Sequence, residues 1–476
     1  MNTSHVAAAV DDWPYASALG LRAAIVAGQI SPVEVVTRAL ERVETLEPSL
    51  NSFVTVTAEE AIESARKAER ALTSGRAPGP LHGLPISVKD LIDVSGVRST
   101  FGSRALRDNV AGDDAVVVAR IKAAGACIIG KTTTSEFGCK PVGDSPLTGV
   151  TRNPWNLAKT PGGSSSGAAS SVAAGITPFA VATDGGGSIR VPSSFTGAFG
   201  IKAQFGRVPL FPHSATPTLA HVGPIARTVR DAALLLSVMS GPHPGDPWSL
   251  PVDAPDFLAA CDLPAKGMRV AWSPTLGYAR PCGEVECIVS SAVKVFEDLG
   301  CRVSVEDVVM DDPIDLWMGE FYAGMAARFR PSLQAARDQI DPAVRELLDD
   351  ALGKSATEYH TLIFKRYELR EKLRRFFDGY DLLLTPTLPV AAFDTGLNAP
   401  PGWLDQRGPF GWVSYTYPFN LTGQPAASIP CGFTADGLPV GLQMVAGPGR
   451  ETDIFRAAAA FEAARPWSDK RPALNV

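Results

Sequence analysis

Two glycine- and serine-rich segments carry the residues best suited to acyl chemistry. The first is Gly162-Gly-Ser-Ser-Ser-Gly167 and the second is Asp184-Gly-Gly-Gly-Ser-Ile-Arg190. Three glycines before Ser188 leave the backbone N–H groups of residues 185 to 188 unobstructed, so that they can turn inward together around an oxyanion. A serine at the end of such a loop is placed as a nucleophile. The same composition is also typical of tight turns that pack a helix against a strand, and the residues alone leave both interpretations open.

The usual general base is scarce in this sequence. The six histidines are scattered singly, with no H-E-x-x-H motif and no acidic cluster at metal-ligand spacing, so we predict no metal and no other cofactor. Lys89 is the candidate base because it ends the alternating segment 83–89, which predicts a strand. A lysine desolvated in an apolar strand has a lowered pKa and can accept a proton. An exposed Lys89 paired with Asp90 or Asp93 is an equally good interpretation.

Two other motif matches lack the context that their chemistry requires. Residues 125–132 (GACIIGKT) fit the phosphate-loop pattern, but a predicted helix precedes Gly125 and the residues inside the loop resemble a strand. Residues 163–167 (GSSSG) fit the nucleophile elbow around Ser165, but a loop stands upstream where that motif needs a strand. We therefore predict neither nucleotide binding nor an elbow hydrolase.

The elements that must position these residues alternate between helix and strand. Helical patterns cover 31–43, 57–72, 113–124 and 166–174, and strands are predicted at 83–89 and 126–129, then at 268–272, 301–305 and 381–385. This alternation predicts an α/β fold, a large mixed sheet covered by helices on both faces. Within the helical stretch 311–377, aromatic and methionine residues at helical spacing form a stripe that either lines a pocket or belongs to the core. Its members are Trp317, Met318, Phe321, Tyr322, Met325 and Phe329.

Composition and charge exclude several classes of protein. The chain has 476 residues, 45% hydrophobic and 20% charged, and its net charge of −6 without a basic block argues against nucleic-acid binding. Seven cysteines without a C-x-x-C motif predict reduced thiols. The uncharged run 160–183 is built of Gly, Ser and Ala with two prolines, so we predict no membrane span. Asp11 and Asp12 argue against a secretory signal, and we expect a cytoplasmic enzyme.

The motifs together resemble those of the amidase signature family, serine amidases that use a Ser-cisSer-Lys triad. The lysine strand 83–90, the lead-in segments 130–138 and 151–155, and the two glycine- and serine-rich segments all fit that family, as do 206–208, 385–387, 420–423 and 437–443. The likeness covers roughly residues 16 to 230 and 375 to 460. It implies a single domain over 1–476, with a signature core at about 80–230 and a divergent helical segment on the substrate side at about 257–380.

Residue by residue, the resemblance assigns a proton relay. Ser188 matches the acylated nucleophile, and Lys89 matches the terminal base. Ser164 matches the serine that follows a cis peptide bond and bridges the other two.

The resemblance also implies what surrounds that relay. The N–H groups of Gly185, Gly186 and Gly187, together with that of Ser188, would hold the oxyanion. Asp184 and Arg190 would fix the loop without reacting. One departure is Gly185, which stands where the family usually has Thr or Ile. A second is the segment 202–205 (KAQF), which replaces the common Lys-Pro-Thr-Tyr.

The implied activity is cofactor-free hydrolysis of small-molecule carboxylic amides, with carbamates and esters as related substrates. The alternative is the glutaminase subunit of an aminoacyl-tRNA amidotransferase complex, whose basic, glycine-containing later segment is not found at 352–371. A catalytically inactive scaffold protein would lack one of the three triad residues, and all three are present in this sequence. A Gly- and Pro-bounded loop is predicted to cover an opening and to favour bulky or aryl substrates. Its aromatic residues are Phe410, Trp412, Tyr415 and Tyr417. A homodimer is left open.

Overall fold

The computed structural model describes residues 12–403 and 408–474 and contains an eleven-stranded mixed sheet. The strands run in the order β1-β3-β2-β6-β8-β7-β12-β13-β11-β9-β10, and β4 pairs with β5 in a separate two-stranded sheet. The strands are β1 Phe53–Val56, β2 Pro85–Lys89, β3 Cys127–Thr132, β4 Asp144–Ser145, β5 Gly149–Val150, β6 Phe179–Asp184, β7 Phe199–Lys202, β8 His221–Ala226, β9 Arg269–Trp272, β10 Arg302–Val305, β11 Leu382–Pro386, β12 Ala426–Phe433 and β13 Pro439–Ala446. The predicted fold class is confirmed.

Fourteen α-helices in the described ranges cover the two faces of the sheet. They are α1 Ala18–Val26, α2 Pro32–Leu50, α3 Ala58–Thr73, α4 Val116–Ala123, α5 Ser166–Ala173, α6 Arg190–Thr196, α7 Val229–Met239, α8 Phe257–Ala260, α9 Gly283–Asp298, α10 Ile314–Ala335, α11 Pro342–Leu352, α12 Ala356–Gly379, α13 Pro418–Thr422 and α14 Glu451–Ala464. The start of α2 follows from its sequence, because Ser31 and Glu34 form a reciprocal capping box. No helix in the part of the chain described here combines the length and the apolar character that crossing a membrane requires.

Successive side chains of β2 point to opposite faces of the sheet. Ile86 and Val88 point into the largest apolar core, together with Val181 of the neighbouring parallel strand β6. Lys89 has the opposite parity, so it lies on the other face, where α5 packs. The apolar residues of β2 thus anchor the strand, and its last residue is left for the site.

The phosphate-loop pattern at 125–132 lies in a strand. β3 extends to Thr132, further than the sequence predicts, and so includes Gly130 and Lys131 of that pattern. The Lys131 ammonium lies 3.1 Å from the Asp90 carboxylate, and both side chains are buried. Gly130 and Lys131 therefore belong to a strand, and Lys131 forms a buried ion pair with Asp90. They do not form a loop that could bind phosphate.

Candidate active site

The site lies where two neighbouring parallel strands end. Lys89 is the last residue of β2 and Asp184 the last residue of β6, so both are at the same edge of the sheet. The loop before α5 brings Ser164 to this edge, and the loop between β6 and α6 brings Ser188. The N–H of Ser165 donates to the carbonyl of Ser188 (3.3 Å), which joins the two loops.

Lys89, Ser164 and Ser188 form a continuous line of hydrogen-bond contacts. Lys89 Nζ lies 2.8 Å from Ser164 Oγ, and Ser164 Oγ lies 2.9 Å from Ser188 Oγ. Lys89 is fully buried and Ser164 is 1% exposed, whereas Ser188 is half-buried, and both serines line a cavity. The peptide bond between Gly163 and Ser164 is cis, as the resemblance implies. The geometry is that of a relay able to carry a proton from the cavity to a buried amine.

The surroundings of Lys89 favour its neutral form. Burial lowers the pKa of Lys89 well below the ordinary value for lysine, and the opposing effect of the Asp184 charge is smaller. Ser165 Oγ and Thr183 Oγ1 both lie 2.9 Å from Nζ. Because the Ser165 hydroxyl donates to the Thr183 carbonyl (3.1 Å), it must accept from the amine. A neutral amine that donates to Ser165 and Thr183 keeps its lone pair for Ser164.

Sequence reasoning missed the two hydroxyls that accept from Lys89. Ser165 is the serine of the elbow pattern, and the structure places it beside the lysine without a strand before it. Thr183 comes from β6, and no sequence pattern marks it. The signal that could have found Thr183 is its position one residue before Asp184, at the end of the strand adjacent to β2.

A buried ion pair fixes the loop 184–188, called the oxyanion loop below. Arg190 Nη2 lies 3.0 Å from Asp184 Oδ1, and both side chains are fully buried. Arg190 also donates to the side chains of Asn420 (2.6 Å) and Gln443 (2.8 Å) and to the carbonyl of Thr416 (2.8 Å). Burial alone would raise the pKa of Asp184, but Arg190 holds it well below its usual range. The carboxylate is therefore ionised and acts as an anchor for the loop.

The structure corrects one of the oxyanion donors. The N–H of Gly187 donates to Asp184 Oδ1 (2.7 Å), so it already has a partner and cannot serve as predicted. The N–H groups of Gly185, Gly186 and Ser188 have no hydrogen-bond partner among the described residues. The loop therefore presents these three donors beside the Ser188 hydroxyl.

A largely apolar cleft opens from the two serines. Its empty volume is about 980 Å³, with Ser164, Ser188, Thr183 and Gly185 among the lining residues. Phe101, Phe137, Phe321 and Phe329 form an aromatic wall. Further apolar surface comes from Met325, Ile92, Val116, Val117, Leu210 and Val222. The aromatic stripe of α10 thus supplies cleft residues. Charged side chains of the lining are Asp93, which is half-buried, and Arg328, which is exposed.

A smaller cavity of about 300 Å³ also borders Ser188. Trp317 and Phe410 contribute to its wall, and Phe321 lines both cavities, as do Gly138 and Ser188. The prediction that Trp412 covers an opening is wrong, because Trp412 is fully buried and lines neither cavity. Its ring stacks on Phe195 at 5.8 Å with the planes 4° apart. Tyr415 and Tyr417 are also fully buried.

The part of the chain that the structure describes contains no group of side chains suited to ligate a metal ion. No three or more His, Cys, Asp or Glu side chains in these ranges are grouped so that they could hold a metal ion.

Comparison with known proteins places this site in a family. The family model for amidases matches residues 34–455. An acylamidase of Rhodococcus erythropolis is 36% identical in an alignment of 464 positions that covers 96% of this chain and 97% of that protein. A glutamyl-tRNA(Gln) amidotransferase subunit from Symbiobacterium thermophilum is 35% identical over 96% of this chain and 99% of its own length. The crystal structure of a bacterial aryl acylamidase of the amidase signature family superimposes with a TM-score of 0.89 at 32% identity, covering 95% of this chain and 96% of that one.

The chain belongs to the amidase signature family. The resemblance inferred from its motifs is confirmed, and the protein is an enzyme that hydrolyses amide bonds.

Proposed function

We propose that this amidase hydrolyses amides with a bulky or aryl apolar group through an acyl intermediate on Ser188. The observation that carries the proposal is the line Lys89–Ser164–Ser188, which ends in a cleft with aromatic walls. The kinship with an acylamidase and with an aryl acylamidase supports the same substrate class.

The reaction follows from the contacts. Neutral Lys89 takes the proton of Ser164 while Ser164 takes that of Ser188, and Ser188 Oγ bonds to the substrate carbonyl carbon. The N–H groups of Gly185, Gly186 and Ser188 stabilise the negative oxygen that forms. The proton then returns through Ser164 to the amide nitrogen, the C–N bond breaks, and an acyl ester of Ser188 remains. Water, deprotonated through the same relay, attacks that ester and releases the carboxylic acid and free Ser188.

The lining of the cleft favours apolar over zwitterionic substrates. Free glutamine carries an ammonium and a carboxylate group, both of which would need partners after leaving water. In the lining, Asp93 and the exposed Arg328 carry charge, whereas the aromatic wall offers neither group a partner. Along its aromatic wall the cleft offers Phe137, Phe321 and Phe329, which contact apolar and aryl groups instead. We therefore expect an anilide to be a better substrate than glutamine.

A competition experiment tests the proposed function. Glutamine, a small primary amide, an aryl anilide and an aryl carbamate are offered together to the wild-type enzyme, and products are quantified by mass spectrometry. We expect the anilide to have the largest kcat/KM, and turnover of the carbamate would extend the activity to urethanes. Heat-inactivated enzyme corrects for spontaneous hydrolysis. Ammonia released from glutamine alone would contradict the proposal.

The second candidate is the glutaminase component of an aminoacyl-tRNA amidotransferase. It is kept because the Symbiobacterium thermophilum amidotransferase subunit is 35% identical over 96% of this chain. The competition experiment separates the two functions. If glutamine is the one substrate turned over, the partner subunits should be sought by co-purification.

Phe321 should control selectivity because it lines both cavities that border Ser188. Replacing it with alanine enlarges both cavities and removes apolar contact from the cleft. Burying such a ring contributes about 1.5–3 kcal/mol, so the ratio of kcat/KM for the aryl anilide to that for the small amide should fall about tenfold or more. Steady-state kinetics on both substrates measures the ratio.

Trp412→Phe is the matched control for Phe321→Ala. Trp412 is a buried aromatic residue of the same apolar cluster but lines neither cavity. Its replacement should leave the selectivity ratio unchanged. An unchanged ratio in Phe321→Ala would show that the ring does not select the substrate.

A further inference from the structure

The helix α10 packs directly on the oxyanion loop. Trp317 Nε1 donates to the carbonyl of Gly185 (2.9 Å) across 132 residues of sequence. A Cβ atom on Gly186 would lie 2.4 Å from Trp317 Cζ2, and one on Gly185 would lie 2.8 Å from Phe321 Cε2. The two glycines therefore allow the aromatic rings of α10 to rest on the loop backbone.

The hydrogen bond from Trp317 also fixes the direction of the Gly186 N–H group. The peptide unit between Gly185 and Gly186 is trans, so its C=O and N–H point in opposite directions. Holding the Gly185 carbonyl on the α10 side therefore directs the Gly186 N–H away from α10. That N–H is one of the three donors without a partner among the described residues.

The neighbouring peptide units of the loop are held in the same way. Asn420 Nδ2 donates to the carbonyl of Asp184 (3.0 Å), and Thr416 Oγ1 donates to the carbonyl of Gly186 (2.7 Å). Each of three successive carbonyls is thus held by a side chain from outside the loop. Trp317 holds the middle one.

The indole ring itself has little freedom to turn. Trp317 is 4% exposed, and its ring stacks on Tyr417 at 5.5 Å with the planes 19° apart. Phe410 meets it edge-on at 5.3 Å, and Phe321 packs against it at 5.1 Å. The donor is therefore aimed at the Gly185 carbonyl before any substrate binds.

We propose that Trp317 is a positioning residue whose indole N–H orients the Gly185–Gly186 peptide unit, so that the Gly186 N–H meets the oxyanion. The inference rests on the proposed acyl-transfer function and extends it to a residue outside the glycine- and serine-rich segments. Because the oxyanion exists in the transition state and not in the bound substrate, Trp317 acts on kcat more than on KM.

Two replacements at position 317 test the proposal. Trp317→Phe removes the N–H and part of the ring, and incorporation of benzothienylalanine at 317 removes the N–H while keeping the ring size. We expect kcat for the anilide to fall about tenfold in both, less than the roughly 10²–10³-fold cost of deleting an oxyanion donor itself. KM should change less than about twofold, because the substrate carbonyl in the ground state gains little from that donor.

The affinity for an oxyanion mimic distinguishes orientation of the oxyanion donor from a purely structural role of Trp317. The inhibition constant of an aryl trifluoromethyl ketone should weaken by the same factor as kcat. The Kd of the intact anilide, measured in a Ser188→Ala background, should stay within about twofold, as expected when the lost interaction is made in the transition state and not with the bound substrate.

Trp412→Phe is again the control, because the indole N–H of Trp412 has no hydrogen-bond partner within the described ranges. It should leave kcat and ketone affinity unchanged. Unchanged kcat and ketone affinity in the benzothienylalanine variant would overturn the role of Trp317. A wild type that cleaves none of the amides would instead overturn the proposed function on which it rests.

Discussion

Ser188→Ala should lower kcat for the anilide by about 10⁴-fold or more, as removal of the nucleophile does in other serine hydrolases. Ser188 Oγ is the end of the hydrogen-bonded line, and Ser188 borders both cavities, whereas Ser164 lines the larger one and is occupied between Lys89 and Ser188. Binding of the anilide should persist, because the walls of the cleft are unchanged. Steady-state kinetics and a binding titration measure the two quantities.

Covalent labelling tests the same prediction at the level of the residue. A fluorophosphonate probe should add one adduct to the wild-type chain, and peptide mapping should place it on Ser188. Ser165→Ala is the informative control, because Ser165 is the serine that an elbow hydrolase would use. That variant should still be labelled on Ser188. An adduct on Ser165, or full labelling of Ser188→Ala, would contradict the assignment.

Lys89→Ala should lower kcat/KM at pH 7 by about 10³-fold, within the range of a positioned general base. The alanine leaves Ser164 and Ser188 without a group that can accept their protons. It also leaves a buried space beside Ser164, so added ethylamine should restore part of the activity. Rates at neutral pH with and without the amine measure both effects.

The wild-type pH profile tests the same role without any variant. Burial lowers the pKa of Lys89, so the neutral amine that can accept a proton is present well below the ordinary lysine range. As the pH falls through this lowered pKa, Nζ becomes protonated and kcat/KM should fall. As the pH rises above it, kcat/KM should reach a plateau. Activity that rises toward acid pH would remove Lys89 from the mechanism.

Lys131→Met is the matched control for Lys89. Lys131 is also fully buried, on the neighbouring strand β3, but its contacts are Asp90, Ser99 and the carbonyl of Arg98. Breaking that ion pair should lower the thermal stability, because the Asp90 carboxylate loses its partner. The acid limb of the pH profile should keep its position. Full activity of Lys89→Ala at pH 7 would contradict the relay.

Local signals in the sequence suffice for several elements and for the family. Alternation along 83–89 predicts the strand that ends at Lys89, and a capping box predicts the start of α2, because these signals depend on residues a few positions apart. The glycine-rich loop points to Ser188, the resemblance to the amidase signature family adds Ser164, and the structure brings both into line with Lys89.

The contacts that those residues make depend on the packed chain. Gly187 is predicted as an oxyanion donor, but its N–H is taken by Asp184, which depends on the turn of the loop. Trp412 is predicted to lie over an opening, but stacking on Phe195 buries it. Trp317 reaches Gly185 across 132 residues, and no local pattern reports such a contact. Local periodicity fixes which face a side chain occupies, whereas its partners are set by packing between elements distant in the chain.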